Sequence, residues 1–291
     1  MTVSLNSPHR TTKATASWAV WLGLLPFIIF GLAFEFLPLL TVITSSLTTK
    51  GSFTLKFYQQ AMDPLFLRSF GNSIQLSATT AFLGVVFGTL VAYAIITTKN
   101  RSIQNALTAL SDVTTNFGGA PLAFAFIVIL GSTGVITLLL KEVGISLYPN
   151  FRIYSISGLT IAYLYFQLPL MILLAIPSLY GLKREWHEAA LNLGASTFRY
   201  WLEIALPILF PALMGEFLLL FANSFGAYAT AYTLTGSDVD LITIRIGALI
   251  TGEVQLAPEL ADALAIISLL IMIICVIGYM RLSNLSNRTR Q

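Results

Sequence analysis

The stretch Glu188-Ala-Ala-Leu-Asn-Leu-Gly194-Ala-Ser-Thr-Phe-Arg-Tyr-Trp-Leu-Glu-Ile-Ala-Leu-Pro207 carries the chain from a polar connector into an apolar run, and its reading decides the fold. Upstream, residues 154–182 are apolar enough and long enough to cross a bilayer as a helix, and residues 201–232 downstream are so again. The connector at 183–200 is therefore a short loop between two membrane spans. Within it, Trp186, Ala189, Ala190, Leu191 and Leu193 alternate with Glu185, His187, Glu188 and Asn192 at helical spacing, which predicts a short amphipathic helix ended by Gly194 as its C-cap. Ala189 and Ala190 would make one face small enough for another protein's backbone to come close. The Glu188 carboxylate would accept hydrogen bonds from such a partner or cap a neighbouring helix. Leu206-Pro207 fits the start of the next membrane helix, where the missing proline donor costs least.

Composition agrees with this. Hydrophobic residues make up 56% of the chain and charged residues 10%, and the mean hydropathy of +0.81 is far outside the range of a soluble domain. Six stretches qualify as spans: 18–46, 69–98, 103–140, 154–182, 201–232 and 259–281. The expected fold is an all-α integral membrane protein, one transmembrane domain over 1–291 with no soluble domain of any size. The first span is too long in its apolar core, and lacks a small-residue cleavage site, to be a removed signal.

Basic residues set the orientation. Arg10 and Lys13, Lys99 and Arg101, Lys183, Arg184 and Arg199, and Arg281, Arg288 and Arg290 fall on one side. The other side carries Lys50, Lys56, Arg68, Lys141, Arg152 and Arg245, among Asp63, Glu142, Asp238, Asp240 and Glu253. This bias puts both termini and the 183–200 loop in the cytoplasm. The net charge of +3 is a topology signal and gives no ground for nucleic-acid binding.

Several chemistries are excluded. Cys275 has no partner cysteine, and His187-Glu188 is followed by Ala189-Ala190-Leu191 and not by a zinc-binding H-E-x-x-H pattern. No G-x-x-x-x-G-K-[ST] loop exists to cradle ATP. The chain is read as holding no metal, no cofactor and no catalytic residue.

Inside the spans, charges and backbone breaks stand out, because both are costly in hydrocarbon. Asn116-Phe117-Gly118-Gly119-Ala120-Pro121 interrupts the third stretch, and Asp112 lies partway into it. Glu216, Asn223, Ser224, Tyr228 and Tyr232 lie along the fifth, while Glu35 lies nearer the outer boundary of the first. Asp112, Asn116, Glu216, Asn223 and Tyr228 are the candidate pathway residues. The two acids read equally as groups facing a cationic solute or as structural partners of neighbouring helices. Gly84 and Gly88 form a G-x-x-x-G face, read as packing within the chain in preference to a dimer seam.

The register of Glu188-Ala189-Ala190, Gly194, Ile204, Leu206 and Pro207, placed between the fourth and fifth spans, resembles the EAA loop of ABC-importer permease subunits. Trp201 stands where that family more often has phenylalanine. Asn72-Ser73 at the opening of the second span, and the six-span layout, resemble the MetI-like type I permease fold. The long connector after the first span is similar to that of the first permease of spermidine/putrescine-type systems.

The resemblance implies a transport subunit of the bacterial inner membrane that forms a solute pathway with a second permease, a different chain being favoured. Glu188, Ala189, Ala190, Gly194, Ala195, Leu206 and Pro207 would couple it to two cytoplasmic ATPase chains, which use ATP and Mg, and an extracytoplasmic solute-binding protein would feed it. A polyamine or other small organic cation is the favoured solute, with organic phosphonate, thiosulfate and ferric ion left open. The alternative is an ion-coupled secondary transporter relaying protons through Asp112 and Glu216.

Overall fold

Capping side chains punctuate the apolar sequence and fix where its helices begin. The computed structural model describes residues 18–49, 51–252 and 256–289; Arg10, Lys13, Lys50, Glu253 and Arg290 of the charge argument lie outside them. The first span is α1 (Trp18–Gly31), a π-helical turn (Leu32–Phe36) and α2 (Leu37–Leu47). A two-residue hairpin, β1 (Thr48–Thr49) with β2 (Ser52–Phe53), and α3 (Lys56–Gln60) lead to α4 (Pro64–Thr97). The Asp63 carboxylate accepts from Leu65 N–H at 2.9 Å, with Pro64 in the first turn, to start α4.

Asn100 Oδ1 opens α5 (Arg101–Thr115) by accepting from Ser102 N–H at 2.9 Å. Then come α6 (Gly119–Leu130), α7 (Val135–Glu142) and α8 (Ile156–Tyr180). The connector holds α9 (Arg184–Asn192) and α10 (Thr197–Tyr200), followed by a second π-helical turn (Trp201–Ala205) and α11 (Leu206–Phe225). The chain ends with α12 (Tyr228–Thr235), α13 (Ile242–Thr251) and α14 (Pro258–Thr289).

Among the described residues six helical segments are long and apolar enough to cross a membrane: Gly23–Leu47, Pro64–Thr97, Gly119–Glu142, Ile156–Tyr180, Thr197–Phe225 and Pro258–Asn284. The α8 helix lies centrally against α4, α5 and α11, and α14 backs α11. Two apolar cores result. One joins α4, α11, α14 and the later half of α8, around Met171, Leu209, Leu220 and Leu264. The other joins α6, α12 and the earlier half of α8, around Leu122, Leu159, Tyr163 and Leu234.

The structure corrects three expectations. The third stretch, 103–140, is not one span: α5 ends at Thr115, and the membrane-length segment begins at Gly119, whose φ of +71° suits glycine. The α5 helix carries a polar stripe of Gln104, Thr108, Asp112 and Thr115 at helical spacing, too polar and too short to cross alone. The fifth stretch, 201–232, stops at Phe225, and Tyr228 opens a separate helix.

Pro207 does not begin a membrane helix either, since the path is helical from Thr197 onward. The widened turn before it, in which Leu206 N–H donates to Trp201 O, spares the proline ring a clash with the carbonyl of Glu203. Pro38 is accommodated the same way, with Leu37 N–H donating to Leu32 O.

Gly84 and Gly88 pack as expected within the chain. A methyl group at Gly88 would stand 2.6 Å from Met171 Cβ on α8, and one at Gly84 would stand 2.8 Å from Leu220 Cδ2 on α11.

Candidate functional site

Gly194 closes α9 in a complete Schellman arrangement. Its φ is +83°, its N–H donates to Leu191 O at 2.9 Å, and Ala195 N–H donates back to Ala190 O at 3.0 Å. Ser196 then caps α10 by accepting from Arg199 N–H at 3.2 Å. Ala190 turns inward with Tyr200 and Ala205, and Ala195 and Trp186 pack on that small cluster. The expected two-alanine face is thus divided: Ala189 is exposed and Ala190 is core.

Glu188 is exposed and paired with Arg184 one turn earlier at 2.8 Å, a solvent-facing pair of little stabilising value. Leu193 and Phe198, 89% and 73% exposed, flank the turn. Small and apolar exposed groups therefore sit on a firmly capped helix, joined through the π turn to α11.

The second feature is a cleft of about 730 Å³ where two helix breaks face each other. Thr115, Asn116, Gly118 and Gly119 line it from the α5–α6 break, and Asn223, Gly226, Ala227, Tyr228 and Thr230 from the α11–α12 break. It gathers three of the five residues expected from sequence: Asn116, Asn223 and Tyr228.

The breaks are fastened together. Thr230 Oγ1 accepts from Gly119 N–H at 3.0 Å and lies 3.3 Å from Gly119 O, to which it donates. From α8, the Tyr163 hydroxyl donates to Ala227 O at 2.6 Å. Gln167, fully buried, donates to Leu220 O at 2.9 Å, and Asn223 Nδ2 reaches 3.5 Å from Gln167 Oε1. Irregular backbone at membrane depth is tolerable only with such partners or beside a wet cavity. No lining residue carries a formal charge, and helix ends of opposite polarity converge there, so the cleft offers amide and hydroxyl donors and acceptors.

Asp112 lies elsewhere, in an adjoining cleft of about 560 Å³ with Gln104, Asn105, Thr108, Leu173, Ile176 and Tyr180. It is exposed and is the one charged lining residue there. The polar stripe of α5 joins the two clefts. Glu216 is in neither cleft. It is 4% exposed, inside the α8–α11 contact, where Ser178 Oγ donates to its Oε1 at 2.7 Å. Asp112 and Glu216 are therefore not brought together.

Asn72 and Ser73 hold the connector between α12 and α13. Asn72 Nδ2 donates to Asp240 O at 2.9 Å and Ser73 Oγ accepts from Ile242 N–H at 2.9 Å, seating the start of α13 on α4. Sequence reading missed Thr230, Tyr163 and Gln167. A lone glutamine in the run 154–182 was the available signal for Gln167, and nothing local marked Thr230.

The family model for the binding-protein-dependent transport system inner membrane component matches residues 84–290, which include both clefts and the connector. The chain belongs to this family. It is an ABC-importer permease subunit of the inner membrane with the MetI-type fold, a transport component and not an enzyme, and membership retires the ion-coupled alternative.

A spermidine/putrescine transport system permease protein PotB of Haemophilus influenzae is 26% identical over 288 residues, 96% of this chain and 94% of that one. A probable sulfate transport system permease protein cysT of Prototheca wickerhamii is 27% identical over 206 residues, 69% of this chain and 77% of that one. The crystal structure of a bacterial ABC transporter that imports the acidic polysaccharide alginate contains a chain of the same fold. Its TM-score is 0.67 at 16% identity, covering 94% of this chain and 96% of that chain.

Proposed function

We propose that the chain forms half of an importer pore, that α9 is its docking lever for two cytoplasmic ATPase chains, and that solute crosses through the Asn116–Asn223–Tyr228 cleft. The carrying observation is the capped α9 helix, which projects Glu188, Ala189 and Leu193 to the outside, while the hydrogen-bonded Gly194 turn hands the chain to a helical path that runs unbroken from Thr197 into α11 beside the cleft. Displacement of α9 on ATP binding would reach the cleft through α11 without loss in a flexible linker. In this reading both termini and the connector are cytoplasmic, a second permease completes the pore, and an outer binding protein delivers solute.

The solute is a polyamine or other small organic cation. Asp112, the sole formal charge lining either cleft, supports this, as does the near full-length similarity to a spermidine/putrescine permease. A neutral cleft rich in donors and acceptors suits the amines of such a solute, with Asp112 on the polar stripe beyond it.

The test is Gly194→Asp. Within this chain the new side chain meets open space, so its cost to the fold is backbone strain at positive φ, roughly 1–2 kcal/mol. Uptake should fall with the protein still present in the membrane and with fewer ATPase chains co-purifying. Wild-type uptake together with wild-type ATPase association would remove α9 from the coupling role.

A further inference from the structure

Asn116 and Asn223 bring side-chain amides to the cleft, and the protein engages both by the nitrogen. Asn116 Nδ2 donates to Asp112 O at 3.0 Å, one turn back along α5, and Asn223 Nδ2 donates to Gln167 Oε1 at 3.5 Å. Both asparagines are exposed, and among the described residues neither Oδ1 accepts a hydrogen bond.

Which way round Asn223 sits is decided on α8. Gln167 is fully buried, and Leu220 O holds its Nε2 at 2.9 Å, because a carbonyl can only accept. Leu220 O lies inside α11, where the helix itself supplies a donor, so this bond orients Gln167 more than it satisfies the carbonyl. The oxygen of Gln167 is then the end that meets Asn223, and it requires a nitrogen opposite. Other donors at the breaks are spent likewise. Thr115 Oγ1 donates to Ser111 O at 2.8 Å, Tyr228 N–H to Gly226 O at 2.9 Å and Gly119 N–H to Thr230 Oγ1, while Pro121 has no N–H. The Tyr228 hydroxyl can serve either way.

We infer that Gln167 sets the hydrogen-bonding polarity of the cleft. It holds Asn223 with Oδ1 free for solute, and together with Asn116 Oδ1 this makes a site for solutes that donate hydrogen bonds, ammonium groups above all, and against oxyanions, which only accept. Gln167 itself touches no solute; it is a positioning residue. The inference rests on the reading that solute crosses through this cleft, and it explains how a lining without formal charge tells a cation from an anion.

The experiment uses the purified full complex with Cys275→Ala and a single cysteine introduced in the cleft by Thr115→Cys. Its labelling by a small thiol reagent is followed against rising concentrations of putrescine, of putrescine with both amines fully methylated, and of inorganic sulfate. The methylated probe keeps both charges and loses every N–H. Putrescine should protect at a concentration roughly ten- to a hundredfold lower than its methylated analogue, and sulfate should not protect. Gln167→Met, close in volume but without either polar end, frees the Asn223 amide to turn. The ratio should fall to roughly threefold or less, with protection by the methylated analogue unchanged. A purely structural role for Gln167 would weaken both probes alike. Asn223→Leu should also remove the preference, and tests the site should the Gln167 variant fail to assemble.

Equal protection by the two amines in the otherwise unaltered complex, protection by sulfate as strong as by putrescine, or a ratio indifferent to Gln167→Met or to Asn223→Leu would overturn the inference while leaving the cleft as the pathway. Absence of protection by every probe would instead remove the cleft reading itself, and the inference with it.

Discussion

Replacing Gly88 by alanine tests the seam that holds α4 to α8. The added methyl would stand 2.6 Å from both Met171 Cβ and Met171 Cγ and 3.3 Å from Leu168 O. Carbon atoms in contact prefer about 3.5–4.0 Å, so the two helices must part by roughly 1 Å along the closest line. Met171 is fully buried, and its Cβ is fixed by the backbone, so no rotamer change relieves the clash. Overpacking of this kind costs about 1–3 kcal/mol, and Gly88→Ala belongs at the upper end.

Gly84→Ala belongs at the lower end. Its nearest obstacle is Leu220 Cδ2 at 2.8 Å, the tip of a side chain that can turn aside, with Gln167 Cβ at an ordinary 3.6 Å. Alanine's better helix propensity, about 1 kcal/mol, works in favour of both variants and brings Gly84→Ala close to neutral. The assay is heat-induced aggregation of the detergent-solubilised protein, with each variant also tested beside a truncation of its neighbour. Leu220→Ala should relieve Gly84→Ala, whereas Met171→Ala should leave Gly88→Ala unrelieved, because it retains the offending Cβ. A Gly88→Ala protein as stable as wild type, or one restored by Met171→Ala, would refute this account of the seam.

Thr230→Val keeps shape but leaves Gly119 N–H without its hydroxyl partner, so stability should fall by about 1–3 kcal/mol in a denaturant titration, with uptake impaired; unchanged values would show that the two breaks are not tied through this residue. With Cys275 replaced, a single cysteine at Ser196 should resist a membrane-impermeant thiol reagent in intact cells, and one at Ser52 or Ser237 should react. The reverse pattern would invert the topology and take α9 away from the cytoplasm. Asp112→Asn should reduce uptake of an organic cation while the complex assembles normally. Glu216→Gln should leave both nearly unchanged, since an amide oxygen still accepts from Ser178 Oγ, but Glu216→Leu should weaken assembly; equal uptake by wild type and Asp112→Asn would end the cationic reading of that cleft.

What was legible in the sequence followed from local rules. Span number came from apolar length, and the end of α9 came from Gly194, whose conformation and two closing hydrogen bonds are those a helix-ending glycine supplies. The Asn116–Pro121 interruption was legible because glycine and asparagine break helices wherever they fall. The facing break at Gly226–Ala227 was not, since it lies in an apolar run where a single glycine is ordinary. Its geometry depends on Tyr163 in α8, 64 positions away.

The acids show the same limit from the other side. Spacing told that Asp112 and Glu216 each interrupt apolar sequence, but which way a side chain faces is set by the neighbouring helices. The α5 helix lies on α8 with part of its polar stripe toward open clefts, which exposes Asp112; α11 is sandwiched between α8 and α14, which buries Glu216. Two carboxylates equally conspicuous in sequence thus acquire opposite environments. The one that packing leaves in an open cleft is accessible there, and the one enclosed against Ser178 Oγ helps fasten α11 to α8.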